Sequence, residues 1–201
     1  MKVTVIDYGA GNVTSVKRVL ERLGAEVSLS DKPEEIAQAE RLILPGVGHC
    51  GALIGALDTK GIRKPLLDAI GRGVPFLGIC LGLQALYEGS DEAPELKGLG
   101  LLSGRVLQLP ESVKLPHMGW NQVQSLQESQ LLKNILPDAY FYFAHSFAAP
   151  AAGVACSAVC GYGREFAAVV ERNNIFGVQF HPEKSGAPGA QLMENFLRLA
   201  A

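Results

Sequence analysis

VPFLGICLGLQAL, residues 74–86, decides the fold. An apolar run ends at Ile79, Cys80 follows, and a helical pattern begins at Leu81. Gly78 and Gly82 stand two residues either side of the cysteine. A tight strand-to-helix turn needs small neighbours, and it lifts its central side chain above the sheet in a strained backbone conformation. The arrangement is a nucleophile elbow with cysteine in place of serine. The first helical turn beneath it would present backbone N–H groups and partial positive charge, both of which favour a thiolate. A buried cysteine in a core turn is the plainer reading, but Gly-x-Cys-x-Gly at a strand–helix junction favours catalysis.

Strands and helices alternate around this stretch. KVTVI (2–6) is β-branched, and a helix with Val13, Val16, Val19, Leu20 and Leu23 on one side stops at Gly24. AEVSLS reads as a strand, PEEIAQA as a short helix with proline in its first turn, and RLILP as a buried strand. Helical patterns over 52–58 and 62–72 lead back to VPFLGI. Continuous apolar strands separated by helices predict a mostly parallel sheet covered on both faces. From about Gly100 strand-like pieces crowd together: LLSGRVLQL, NQVQSL, AYFYFAH, VACSAVC, FAAVVE and IFGVQF. They are expected to extend the sheet with mixed or antiparallel strands, within one domain spanning 1–201. A final helix carries Leu192, Met193, Phe196, Leu197 and Leu199.

The 201 residues are 48% hydrophobic and 19% charged, enough for a packed core. A net charge of -2 gives no electrostatic footprint for nucleic acid or an anionic membrane. The N-terminus is a strand, not a basic segment with an apolar signal core, and no apolar run approaches the ~20 residues that span a bilayer. The four cysteines lack disulfide-framework spacing, and Cys156-x-x-x-Cys160 lacks the usual zinc-knuckle gap. A reduced, cytoplasmic protein without a metal is expected.

A catalytic cysteine needs a base, and His49, His117, His145 and His181 are available. His181 follows the apolar GVQF, and Pro182 restricts it to extended backbone. Glu183 then points the same way and could hold one imidazole nitrogen while the other faces the thiol. LPGVGHCG (44–51) ends another strand and offers free backbone near Val47, as an oxyanion site or a phosphate cradle; no Walker Lys-Ser/Thr follows. DYGAGN (7–12) fails the dinucleotide fingerprint at Thr14 and reads as a tight β–α turn. No cofactor is expected.

PGVG (45–48), GICLGLQ (78–84) and GVQFHPEKS (177–185), in this order, resemble the class I glutamine amidotransferases, and the resemblance covers essentially the whole chain. It implies a flavodoxin-like sheet with added mixed strands, Cys80 as nucleophile, His181 as base and Glu183 as its orienting carboxylate. It further implies oxyanion donors from Leu81 and from the backbone at Val47 and Gly48. Substrate contacts would come from Gln84, from Glu92 (suited to an α-ammonium), and from backbone groups of Ser146 and Phe147. Such domains pass ammonia to a synthase, so a separate synthase chain is expected.

DYGAGN, PGVGHCG, KGLGLL (97–102) and LPHMGWN (115–121) narrow the resemblance to the subfamily of glutaminase subunits that serve the cyclase subunit of imidazole glycerol phosphate synthase, as a heterodimer, in histidine biosynthesis. Cys50 and Phe147 depart from the residues common there. Glutaminase subunits of anthranilate, aminodeoxychorismate or pyridoxal phosphate synthesis share the chemistry but not PHMGWN. A silent binding subunit would not need Cys80, His181 and Glu183, and a free-standing γ-glutamyl hydrolase would need no partner. PHMGWN, read as a loop before a strand, suits a docking surface because Met and Trp are enriched at interface cores. Pro116, Met118, Trp120 and Asn121, with Tyr142, are the expected partner contacts.

Overall fold

The structure is a computed structural model that describes residues 1–153 and 155–199. The apolar strands of the first half sit side by side: β1 (Lys2–Ile6), β2 (Glu26–Ser30), β3 (Leu42–Gly46) and β4 (Phe76–Cys80) pair in parallel. The late strand β14 (Ile175–Val178) joins β4 in the same direction. Antiparallel β13 (Arg164–Arg172), β12 (Cys156–Tyr162) and β9 (Gln124–Ser125) continue the sheet. The order is β2-β1-β3-β4-β14-β13-β12-β9. Val154, the first residue of the expected VACSAVC strand, lies outside the described residues.

Period-two alternation in the strands divides the core into two layers. Val3, Val5, Ile43, Leu77 and Ile79 pack with Val16 and Leu20 of α1 (Val13–Arg22) and with Leu192, Met193 and Phe196 of α6 (Gly186–Leu197). Leu42, Leu44 and Phe76 face the other way, toward α2 (Pro33–Ala37), α3 (Cys50–Thr59) and α4 (Arg63–Gly71), through Ile36, Leu53, Leu57, Leu66 and Ile70. Each such side chain contributes about 1.5–3 kcal/mol on burial, enough to hold a strained turn between the layers.

The helix expected from Leu81 forms but is short, and one expectation is corrected. The helix after Cys80 is one turn, α5 (Leu81–Gln84), because the chain then enters β5 (Tyr87–Ser90), whose flank is pinned by Leu99 N–H to Ala85 O and Leu101 N–H to Leu86 O. A single turn offers N–H groups but little macrodipole. PHMGWN is not a loop: His117–Gln122 is β8, paired antiparallel with β10 (Tyr140–His145). Its apolar and aromatic side chains find a strand partner rich in aromatics, which outweighs the local breakers. This pair is a small sheet of its own. A four-stranded sheet also forms apart from the main one, in the order β11-β7-β5-β6, from β11 (Phe147–Ala148), β7 (Leu102–Gln108), β5 and β6 (Ala93–Lys97). Strands β5 and β6 carry too many charged and glycine residues to show as strands in the pattern.

Candidate active site

Cys80 ends β4 at φ 54°, ψ -106°, inside the positive-φ region that a non-glycine residue occupies at a cost of about 1–3 kcal/mol. The flanking glycines show why this turn exists. A Cβ on Gly82 would come within 1.8 Å of the Leu44 carbonyl oxygen, and one on Gly78 within 2.5 Å of the Gly82 carbonyl oxygen. Only bare backbone lets the turn fold back onto β3 and β4. Gly46 is likewise a matter of space, since its Cβ would meet the Leu81 Cβ at 2.7 Å. The freedom expected around Val47 is therefore confined to Gly48, which sits at φ 94°.

The β4–β14 register pairs Ile79 with Val178, so the chain leaving β14 runs alongside Cys80. His181 arrives there, its N–H bonded to Tyr142 O at 2.8 Å, before a 3₁₀ turn at Pro182–Lys184. Its imidazole lies beside Cys80, close enough to feel the sulfur's charge, and its Nδ1 lies 3.0 Å from Glu183 Oε1. Burial alone would push His181 down. The Cys80 sulfur and the Glu183 carboxylate overcome it and push the imidazole up to about 10. Asn12, in the turn between β1 and α1, donates from Nδ2 to the same Glu183 oxygen at 3.1 Å. The DYGAGN turn thus reaches the site, which its sequence does not reveal.

The remaining histidines are occupied otherwise. His49 is exposed, and its Nδ1 accepts from Gly51 N–H at the start of α3. His117 and His145 are buried and 3.1 Å apart, and burial pushes them down to about 4 and about 3. Both stay neutral at neutral pH, so neither matches His181.

Cys80 opens on a cleft of about 230 Å³ lined by Val47, Gly48, Leu81, Gln84, Glu92, Ser146 and Phe147. Every oxyanion and substrate-contact residue expected from the sequence is therefore on one cavity, and its size suits an amino acid better than a drug-sized ligand of ~300–1,000 Å³. Glu92 Oε2 accepts from Cys50 N–H at 2.6 Å, which fixes the carboxylate at the start of α3. A larger groove of about 580 Å³ around Leu132, Leu136 and Phe141 has no histidine in its lining.

The expected partner contacts divide. Met118 and Trp120 are 64% and 55% exposed on the outer face of β8. Trp120 meets Tyr142 edge-to-face at 5.9 Å, and Lys184 lies over the Tyr142 ring. Pro116 instead lines the cleft, and the Asn121 amide is engaged by Gly161 O and His117. Besides Asn12, a second residue escaped the sequence reading: Gln179, two residues before His181, whose amide Nε2 lies 3.5 Å from Cys80 Sγ.

The profile of the family Glutamine amidotransferase class-I matches residues 4–200. The chain is similar to the imidazole glycerol phosphate synthase subunit HisH of Salinibacter ruber, 45% identical over 98% of this chain and 94% of that protein. It is also similar to the protein of that name from Methanothermobacter thermautotrophicus, 43% identical over 98% of each chain. Among solved structures, PurLQS from Thermotoga maritima aligns with a TM-score of 0.75 and 25% identity, over 98% of this chain and 97% of that one.

Proposed function

The chain belongs to the class I glutamine amidotransferases, and from that premise we propose that it is the glutaminase subunit of an imidazole glycerol phosphate synthase. In this reading residues 1–201 form one amidotransferase domain. It hydrolyses glutamine and passes the ammonia to a separate cyclase subunit that makes imidazole glycerol phosphate and an aminoimidazole carboxamide ribonucleotide in histidine biosynthesis. The observation that carries the chemistry is the line from strained Cys80 through His181 to Glu183, buried beside a cleft of amino-acid size.

Cys80 sulfur attacks the side-chain amide carbon of glutamine, and the carbonyl oxygen takes up the negative charge. Backbone N–H groups of Leu81 and of the Val47–Gly48 segment receive that oxyanion, each such donor being worth roughly 100–1,000-fold in rate. His181, which has taken the Cys80 thiol proton, gives it to the departing nitrogen, which leaves as ammonia, and a γ-glutamyl thioester remains on Cys80. His181 then takes a proton from water, whose oxygen attacks the thioester, and returns it to the departing sulfur, so that glutamate leaves and the thiol is restored. Glu183 orients the imidazole and steadies its charged form. Glu92 faces the substrate α-ammonium, Gln84 and the backbone at Ser146 and Phe147 line the rest, and no cofactor takes part.

The face carrying exposed Met118 and Trp120 beside half-buried Tyr142 is the docking surface in this reading. It lies on the sheet whose strand β10 bonds to the backbone of His181, so partner and triad share a structural element. Four unpaired thiols suit a reducing, cytoplasmic setting. The test is glutaminase turnover of the chain alone and with its cyclase plus the cyclase's nucleotide ligand. Strong stimulation by the liganded partner is expected. Fast turnover that ignores the partner would sink the subunit assignment.

A further inference from the structure

Gln179 is fully buried beside Cys80, and its position follows from the register, one residue beyond the Val178–Ile79 pair. An amide buried there is costly unless both its ends are bonded, so what it bonds to is informative. The direction of each bond is fixed by one backbone carbonyl. Phe147 O can only accept, and Gln84 Nε2 lies 2.7 Å from it, so that atom is a donor. The same Nε2 lies 3.1 Å from Gln179, which must present its oxygen there. The nitrogen of Gln179 is then the atom turned to Cys80 Sγ, at 3.5 Å.

We infer that Gln179 is a further catalytic residue: its amide N–H, aimed by the Gln84–Gln179 bond, holds the Cys80 sulfur as a thiolate pointed for attack. This rests on the glutaminase reading and adds a residue to it. Cys80 is a buried residue, only 5% exposed, so water is a poor source of donors to a negative sulfur, and the imidazole of His181 beside it is the charged neighbour. The Gln179 amide supplies a hydrogen bond without carrying charge, and a hydrogen bond to the charged form favours that form. Gln84 is the positioning residue, acting through Gln179, besides lining the cleft.

The test is the rate of Cys80 alkylation by iodoacetamide in the full chain, read by peptide mass spectrometry, with glutaminase kinetics of the assembled complex alongside. Gln179→Met keeps the bulk and removes the donor. It is expected to slow Cys80 alkylation about tenfold at neutral pH, with the deficit closing as pH rises, and to lower kcat at little-changed KM. Gln84→Met, which frees the Gln179 amide to turn, should give a smaller deficit of the same kind. A folded Gln179→Met alkylated at the wild-type rate at neutral pH overturns the proposal, and so does a deficit equal at every pH, which marks altered access. Should these variants not fold, the wild-type chain answers: the Gln179 side-chain amide resonance must move over the pH range in which Cys80 reactivity rises, and a resonance that stays flat overturns the proposal. Alkylation needs neither glutamine nor partner. An alkylation effect in a chain without glutaminase activity defeats the function alone, and glutaminase activity without the alkylation effect defeats the role of Gln179 alone.

Discussion

His181 is set apart from three other histidines by its partners rather than by its own surroundings. It is 2% exposed, and burial works against its charge, yet the Cys80 sulfur and the Glu183 carboxylate beside it reverse the sign. The buried pair His117 and His145 shows the opposite balance. Phe147 O accepts from His145 Nδ1, so His145 Nε2 accepts from His117 Nδ1, and both rings stay neutral. Their folded values, about 4 and about 3, lie below the ordinary ~6.5. As pH falls the unfolded chain therefore binds protons first, and stability present above ~6.5 drains away toward pH 4 and then 3. Each ring costs up to ~1.4 kcal/mol per pH unit in that window. Denaturation at pH 7, 6 and 5 should show the decline, made shallower by His145→Gln; a flat profile would contradict neutral burial. Glu183→Ala removes the acceptor of both His181 and Asn12, and should cut kcat by about 100-fold or more at similar KM. Cys80, His181 and Glu183 could be read in the sequence because each sits in a short local pattern. Asn12 and Gln179 could not, since each meets its partner only through the tertiary fold, across 171 and 99 residues.

The β4–α5 turn is the element on which the site depends, and its glycines are required by contact with neighbouring backbone. Gly82→Ala would drive a methyl into the Leu44 carbonyl, so a loss of at least about 2 kcal/mol in denaturant unfolding is expected, or no soluble chain. A variant as stable as wild type would mean that the turn is looser than described. The strand–turn–helix reading of VPFLGICLGLQAL is right in type because apolar period and glycine spacing agree there, but the helix is cut to one turn by pairing with residues 98–102. β8 was illegible for a related reason: its strand character comes from the aromatic ladder of β10, which local propensity does not contain. Trp120 faces outward on that strand. Trp120→Ala should leave the unfolding free energy within about 0.5 kcal/mol and weaken cyclase binding by about 2 kcal/mol in titration calorimetry. Equal binding by both proteins would remove this face from the interface.

On the scale of the whole molecule, the alternating first half and the apolar β14 announce the parallel sheet, while the partition of later strands among three sheets depends on long-range pairing that no local pattern records. The fold brings the end of β4, the end of β14 and the β8–β10 pair to one region, so the proposed site of ammonia release and the proposed docking face are neighbours. Among the described residues no helix is long and apolar enough to cross a membrane. In the proposed function Cys80 makes ammonia for a partner's synthesis, and the complex carrying Cys80→Ser is the decisive sample. Product formation by the cyclase should vanish with glutamine as nitrogen donor and persist with ammonium salts. Glutamine-dependent synthesis surviving in that variant, or ammonium-dependent synthesis lost with the complex intact, would mean that Cys80 does not serve as the source of ammonia.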